Sequence, residues 1–391
     1  MINAQELVLK TSNLFRFGKF EEAKTLLIRT LKEDPSCFEA RLEQIRGALF
    51  QDKIEEAFQL IGEATAIFPQ DPRLAALQGV WFLENHQYQG AKAALSWAAK
   101  ALPKDGNIRL NWAIALRHLG EIEKAEEEVL QSLLLNPASE LAHFEYSRIL
   151  MLQGQPQEAV LQILKSLECN IYFIPGFMAI NRYLKMKKDP DAAILFYKDA
   201  LRIAPDFDFL YGQLAILYEE KGDYAAALPY AQYLAKTNNS YYDDLRVGIY
   251  TFLSGNALDA EKIFLKCIER DASKWDAFYD LGEIYFTQLK LDEAKALYQK
   301  AADLVKDMDS RPFNQLGVIC LAKNDFQEAE KLFQKAVLIN PTAFDPVFNM
   351  ALSCKYRGDI LSSREWAQKA FLLAGDNVTK KYTVQKYLKA P

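Results

Sequence analysis

Leu281-Gly-Glu-Ile-Tyr285, followed by Leu291-Asp-Glu-Ala294 and then by Tyr298 and Ala301, is the stretch whose reading decides the fold. Small residues stand at Gly282, Ala294 and Ala301, with aromatic and aliphatic bulk between them. The spacing predicts two short amphipathic helices joined by a tight turn. Helix axes approach closely only where the side chains at the crossing are small, and larger neighbours then fill the grooves. The same spacing recurs along nearly the whole chain.

With the first residue of each copy counted as position 1, copies begin at Ala4, Phe38, Pro72, Gly106, Glu140, Ile174, Asp208, Tyr241, Trp275, Ser310 and Phe344. Position 20 is Ala23, Ala57, Ala91, Ala125, Ala159, Ala193, Ala227, Ala260, Ala294 and Ala329, with Ser363 in the last copy. Position 8 is mostly small, Ile45 and Asn181 excepted, and position 24 carries bulk such as Leu95, Tyr197, Phe264, Tyr298 and Phe333. Gly18, Gly120, Gly154, Gly222, Gly255 and Gly358 fall between the two helices, where a C-cap calls for positive φ. Asp223, Asn256, Asp325 and Asp359 sit where second helices should be capped. Pro35, Pro69, Pro103, Pro137, Pro205 and Pro341 close their copies.

This pattern resembles the tetratricopeptide repeat, a helix-turn-helix unit of 34 residues. The resemblance implies an all-α fold of eleven stacked hairpins forming a right-handed superhelical solenoid. Residues 1–377 would form one continuous array, and 378–391, with an apolar stripe and a lysine face, would cap its end. Between about residues 170 and 245 the pattern departs from the consensus at Pro175, Asn181, Pro190, Pro229 and Asn239, which predicts irregular geometry there.

Half of the 391 residues are apolar and a quarter charged, an ordinary globular mix, and the net charge is -5. That balance disfavours a general nucleic-acid or anionic-membrane binder. The five cysteines show no CxxC pair and read as reduced thiols. No basic-then-apolar leader opens the chain, and no stretch is apolar for the 18 or so residues of a spanning helix. The expectation is a cytoplasmic protein.

No nucleotide loop, metalloprotease motif or nucleophile elbow is present. His86, His118 and His143 do not share a face in this register, so no metal ligand set is read from them. No cofactor and no catalytic residue are expected. Function then falls to the inner surface. By resemblance, positions 2, 5, 9 and 12 of each first helix line a concave groove. Copies four to six place Arg117, Arg148, Arg182 and Lys185 there. Copies eight to eleven place Tyr242, Leu245, Ile249, Phe252, Tyr279, Phe286 and Phe348. The expectation is a non-catalytic scaffold or adaptor holding a peptide or helix of a partner protein, the apolar group giving affinity and the basic group polarity. Some members of the family clamp a C-terminal carboxylate at positions 5 and 9 of three successive copies. Val8 and Ser12, Leu42 and Arg46, and Ala76 and Val80 do not reproduce that clamp. Two alternative readings are an RNA-binding helical repeat using the basic group and a self-assembling structural solenoid, a homo-oligomer.

Overall fold

The computed structural model describes residues 4–389, which carry 23 α-helices and no strand. They divide into two compact units, Met1–Asp189 and Pro190–Pro391. The first holds α1 (Ala4–Arg16), α2 (Phe20–Glu33), α3 (Phe38–Phe50), α4 (Ile54–Ile67), α5 (Pro72–Glu84), α6 (Tyr88–Ala101), α7 (Gly106–His118), α8 (Ile122–Leu135), α9 (Glu140–Leu152), α10 (Pro156–Cys169) and α11 (Ile174–Lys187). The second holds α12 (Pro190–Ile203), α13 (Asp208–Glu220), α14 (Tyr224–Asn238), α15 (Tyr241–Leu253), α16 (Ala257–Arg270), α17 (Asp276–Thr287), α18 (Leu291–Val305), α19 (Arg311–Ala322), α20 (Phe326–Ile339), α21 (Phe344–Arg357), α22 (Ile360–Leu373) and α23 (Val378–Lys389). The first three residues of the expected array and the last two of the expected capping helix lie outside the described residues.

Each hairpin forms for reasons visible in its turn. Position 15 has a positive φ in every copy. Glycine supplies it at Gly18, Gly120, Gly154, Gly222, Gly255 and Gly358, while Asp52, His86, Lys188, Leu289 and Asn324 supply it elsewhere. The second helix then starts on a capping side chain where the sequence offers one. Asp223 Oδ1 accepts from the Ala226 N–H at 3.0 Å, Asn256 Oδ1 from Asp259 at 3.2 Å, Asp325 Oδ1 from Glu328 at 3.2 Å and Asp359 Oδ1 from Ser362 at 3.1 Å.

Packing within a hairpin is set by positions 8, 20 and 24. The ten position-20 alanines are all buried. A Cβ on Gly248 would sit 2.5 Å from the Phe264 ring, one on Gly282 2.6 Å from Tyr298, and one on Gly317 2.6 Å from Phe333. The bulky position-24 ring therefore occupies the space that glycine vacates at position 8, and a larger residue there would overpack. Cores form locally. Leu110, Ala113 and Leu116 of α7 join Ala125 and Val129 of α8 and Ala142 and Ile149 of α9. Tyr241 and Leu245 of α15 join Phe264 of α16 and Leu281 and Ile284 of α17 in the same way. Each cluster links a hairpin to the next first helix, the nearest-neighbour arrangement of a stacked repeat.

The prolines between residues 170 and 245 take different places in their helices. Pro175 lies in the first turn of α11 and Pro190 opens α12, where the missing N–H is harmless. Pro229 alone of the three stands inside a helix. At the chain's other end, α23 buries Val384 against Val347, Ala351, Ala367 and Ala370. The Tyr387 hydroxyl donates to the Ala351 carbonyl at 2.8 Å, which ties α23 to α21.

Candidate functional site: the faces of the first helices

In the first unit two of the basic positions, Arg117 and Arg148, share one carboxylate. Arg117 of α7 is buried and its Nε donates to Glu145 Oε1 of α9. Arg148 Nη1 reaches the other oxygen, Glu145 Oε2, at 3.5 Å. Burial pushes the Arg148 guanidinium down; Glu145 raises it, and Arg117 and then Arg182 of α11 lower it again. Arg148 thus lies close enough to Arg117 and to Arg182 to feel the charge of each. Arg182 and Lys185 are exposed on α11.

A second layer joins this group. Arg117 Nη2 lies 2.9 Å from His118 Nε2, and the His118 ring stacks on Tyr88 at 4.2 Å with the planes 3° apart. His86 Nδ1 is 3.0 Å from the Tyr88 hydroxyl. The His118 imidazole is held below its usual range, first by burial and then by Arg117, Arg148 and His86. Tyr88 of α6 thus stands between His86 and His118 and brings those two to one place, a pairing the sequence register did not show. His143 stands apart, between Gln162 Oε1 at 2.8 Å and the Pro137 carbonyl at 3.0 Å. Among the described residues no group of three or more His, Cys, Asp or Glu could hold a metal ion.

The aromatic group of the second unit is placed differently. Tyr242 is 55 % exposed, with its hydroxyl 3.0 Å from Lys274 Nζ. Leu245 is buried in the core between α15, α16 and α17, and Ile249 and Phe252 pack half-buried against it. Tyr279 lies between the Trp275 ring at 5.9 Å and the Tyr298 ring at 5.6 Å, under the Arg311 guanidinium. Phe286 packs against the cluster formed by Tyr298, Phe313 and Leu316. Phe348 meets Phe344 at 5.6 Å and Tyr387 at 5.5 Å. Below the Tyr279 ring, Glu283 Oε1 accepts from the Tyr298 hydroxyl at 2.6 Å and from Gln315 Nε2 at 2.5 Å. Burial pushes the neighbouring Asp280 carboxyl up to about 7.

Sequence reasoning passed over the exposed apolar side chains of the first unit. Leu141 and Met151 of α9 are 54 % and 40 % exposed, and Met178 of α11 is 47 % exposed. They stand at positions 2, 12 and 5, the same inward register as the arginines. Position was a sufficient signal; what hid them was that none is aromatic or charged.

Within each unit the helices form a solenoid of the helical-hairpin repeat class, in which each hairpin is buried only by its neighbours. The chain belongs to the tetratricopeptide repeat family. Family models described as tetratricopeptide repeat match residues 12–72, 78–140, 252–311 and 310–343, together more than half of the chain. The human protein O-mannosyl-transferase TMTC3 is 27% identical over 260 residues, covering 63% of this chain and 27% of that protein. The TPR repeat-containing protein MJ1428 of Methanocaldococcus jannaschii is 22% identical over 270 residues, covering 64% of this chain and 47% of its own. The chain thus matches less than half the length of either relative. Yeast Tom70 is a similar solved structure, with a TM-score of 0.48 and 13% identity over 98% of this chain and 94% of that one. Among the described residues no helix is long and apolar enough to cross a membrane.

Proposed function

We propose that this protein is a non-catalytic scaffold that holds a segment of a partner protein against the exposed faces of its first helices. The family supports this reading, since stacked helical repeats create extended binding surfaces from residues their local cores do not take up. The observation that carries it is the inward register of α9 and α11. There Leu141, Arg148, Met151, Met178 and Arg182 all stay accessible although the spacing places them on one face of each helix. Large apolar side chains interleaved with charge at such positions mark an interaction surface. The transferase activity in the name of the human relative belongs to a protein of which only 27% is matched, and we assign no such activity here. We further propose that residues 1–377 act as one array closed by α23, within the cytoplasm.

A photo-cross-linking amino acid placed at Met178 in native cells tests the scaffold reading, with Leu338, 81 % exposed on the second helix α20, as control. A discrete cross-linked polypeptide at Met178 and none at Leu338 is expected. Cross-links at Leu338 alone, or at neither position, overturn the reading.

A further inference from the structure

The basic group of the first unit is not four equivalent charges. Arg117 is buried and committed to Glu145 and His118. Arg148 has only a 3.5 Å contact to the same carboxylate and is half-exposed. A guanidinium offers five N–H donors in a fixed fork, and one long contact leaves most of that fork available. Two guanidiniums thus meet at a single buried carboxylate that Arg117 largely claims, and Arg182 stands exposed on α11 near enough to Arg148 to add to the positive charge. The excess of positive charge here is local, because the chain as a whole carries -5.

The surrounding surface is apolar and adaptable. On α9, Leu141, Arg148 and Met151 follow one another at i, i+7 and i+10; on α11, Met178, Arg182 and Lys185 follow at i, i+4 and i+7. Both spacings keep the side chains on one helix face. Exposed methionines suit surfaces that mould themselves around a partner's apolar side chains.

We propose that this face of α9 and α11 is the docking site for an acidic amphipathic segment of a partner protein, whose carboxylates engage Arg148 and Arg182 while its apolar side chains seat on Leu141, Met151 and Met178. Arg117 and Glu145 position Arg148 and do not themselves contact the partner. The inference rests on the scaffold reading and names the chemistry of its partner. Charge complementarity selects the acidic occupant: a basic segment would meet like charge, and a purely apolar one would leave the arginines desolvated without a partner. Such a complex joins helix-in-groove recognition to charge steering.

The test uses the full chain and a fluorescein-labelled peptide of about 18 residues made of leucine and glutamate in helical spacing. Two control peptides replace every glutamate by lysine, or every leucine by serine. Fluorescence anisotropy should show binding of the acidic apolar peptide and neither control. The double variant Arg148→Glu, Arg182→Glu should weaken it by about tenfold or more, with greater loss at low salt. Met151→Ser with Met178→Ser should weaken it with little change in salt dependence, and both variants should keep the wild-type circular-dichroism melt. Equal binding of the lysine peptide, equal binding of the serine peptide, or unchanged affinity in the arginine variant overturns the proposal. So does tighter binding of an oligouridine than of the acidic peptide. Cross-linking at Met178 in the arginine variant separates the two readings. A cross-link that persists unchanged there leaves the scaffold reading standing and removes the acidic partner; loss of the cross-link in the variant alone supports both; its absence from wild type as well removes the scaffold reading itself.

Discussion

The inward faces of α9 and α11 in the first unit and of α15, α17 and α21 in the second occupy the same register yet have opposite fates. Leu141, Met151, Met178 and Arg182 stay at the surface. Tyr279, Phe286 and Phe348 are drawn into clusters built from neighbouring helices, and only Tyr242 of the aromatic group remains largely exposed. Side-chain reach explains the contrast. An aromatic ring at an inward position is long and flat enough to reach another helix, where Tyr298 or Tyr387 offers a second ring. An arginine that does the same must find a carboxylate. Arg117 does, at Glu145, whereas Arg148 only partly shares it. Equivalent positions in a repeat are therefore equivalent in direction and not in exposure.

The largest effect should come from the buried pair. Arg117→Gln leaves the Glu145 carboxylate buried with only the long contact to Arg148, and should cost about 3 kcal/mol of stability. A urea titration measures it, alongside Arg182→Gln, which should change the midpoint little. Equal midpoints for the two variants would erase the distinction between a committed and an available arginine.

Next in size is the contrast between the two apolar groups. Phe286→Ala should cost roughly 1–3 kcal/mol because it opens the cluster around Tyr298, Phe313 and Leu316, the half-buried ring keeping the loss below that of a full core phenylalanine. Met178→Ser should stay within about 0.5 kcal/mol. Thermal melts of both decide the matter: a Met178 variant as unstable as the Phe286 variant would mean that α11's face is core after all.

The smallest effect concerns pH. Asp280 on α17 has its carboxyl raised from an ordinary 3.8 to about 7, first by burial, with Arg311 opposing and Asp276 and Glu283 adding to the rise. The folded chain thus holds this proton where the unfolded chain has lost it, so stability falls as pH climbs from about 4 to about 7. Asp280→Asn removes that loss. The variant should match wild type near pH 4 and exceed it at pH 8 by on the order of 1 kcal/mol, discounted because the side chain is only partly buried. A gain that is the same at both pH values would show that Asp280 is solvated, like Arg182 of the first unit.

The register was fully legible in the sequence. Alanine at position 20 and bulk at position 24 are local steric demands repeated every 34 residues or so, and Ala23 through Ala329 are buried as that periodicity requires. The turns were legible where glycine marks position 15, and hidden where Asp52, His86, Lys188, Leu289 and Asn324 adopt the same positive φ without announcing it. The candidate site was legible only as a set of inward positions. Arg117 and Glu145 lie 28 residues apart and on different hairpins, and Tyr88 comes from a third, so no window of sequence contains the group they form with His118. The chain's own pattern determined the repeat family, the helical hairpins and the direction in which each side chain starts. Only the tertiary structure decided which of those side chains remain available, because exposure depends on what the next hairpin places opposite each one, and that contact is set by packing between repeats, which the periodicity of a single repeat does not encode.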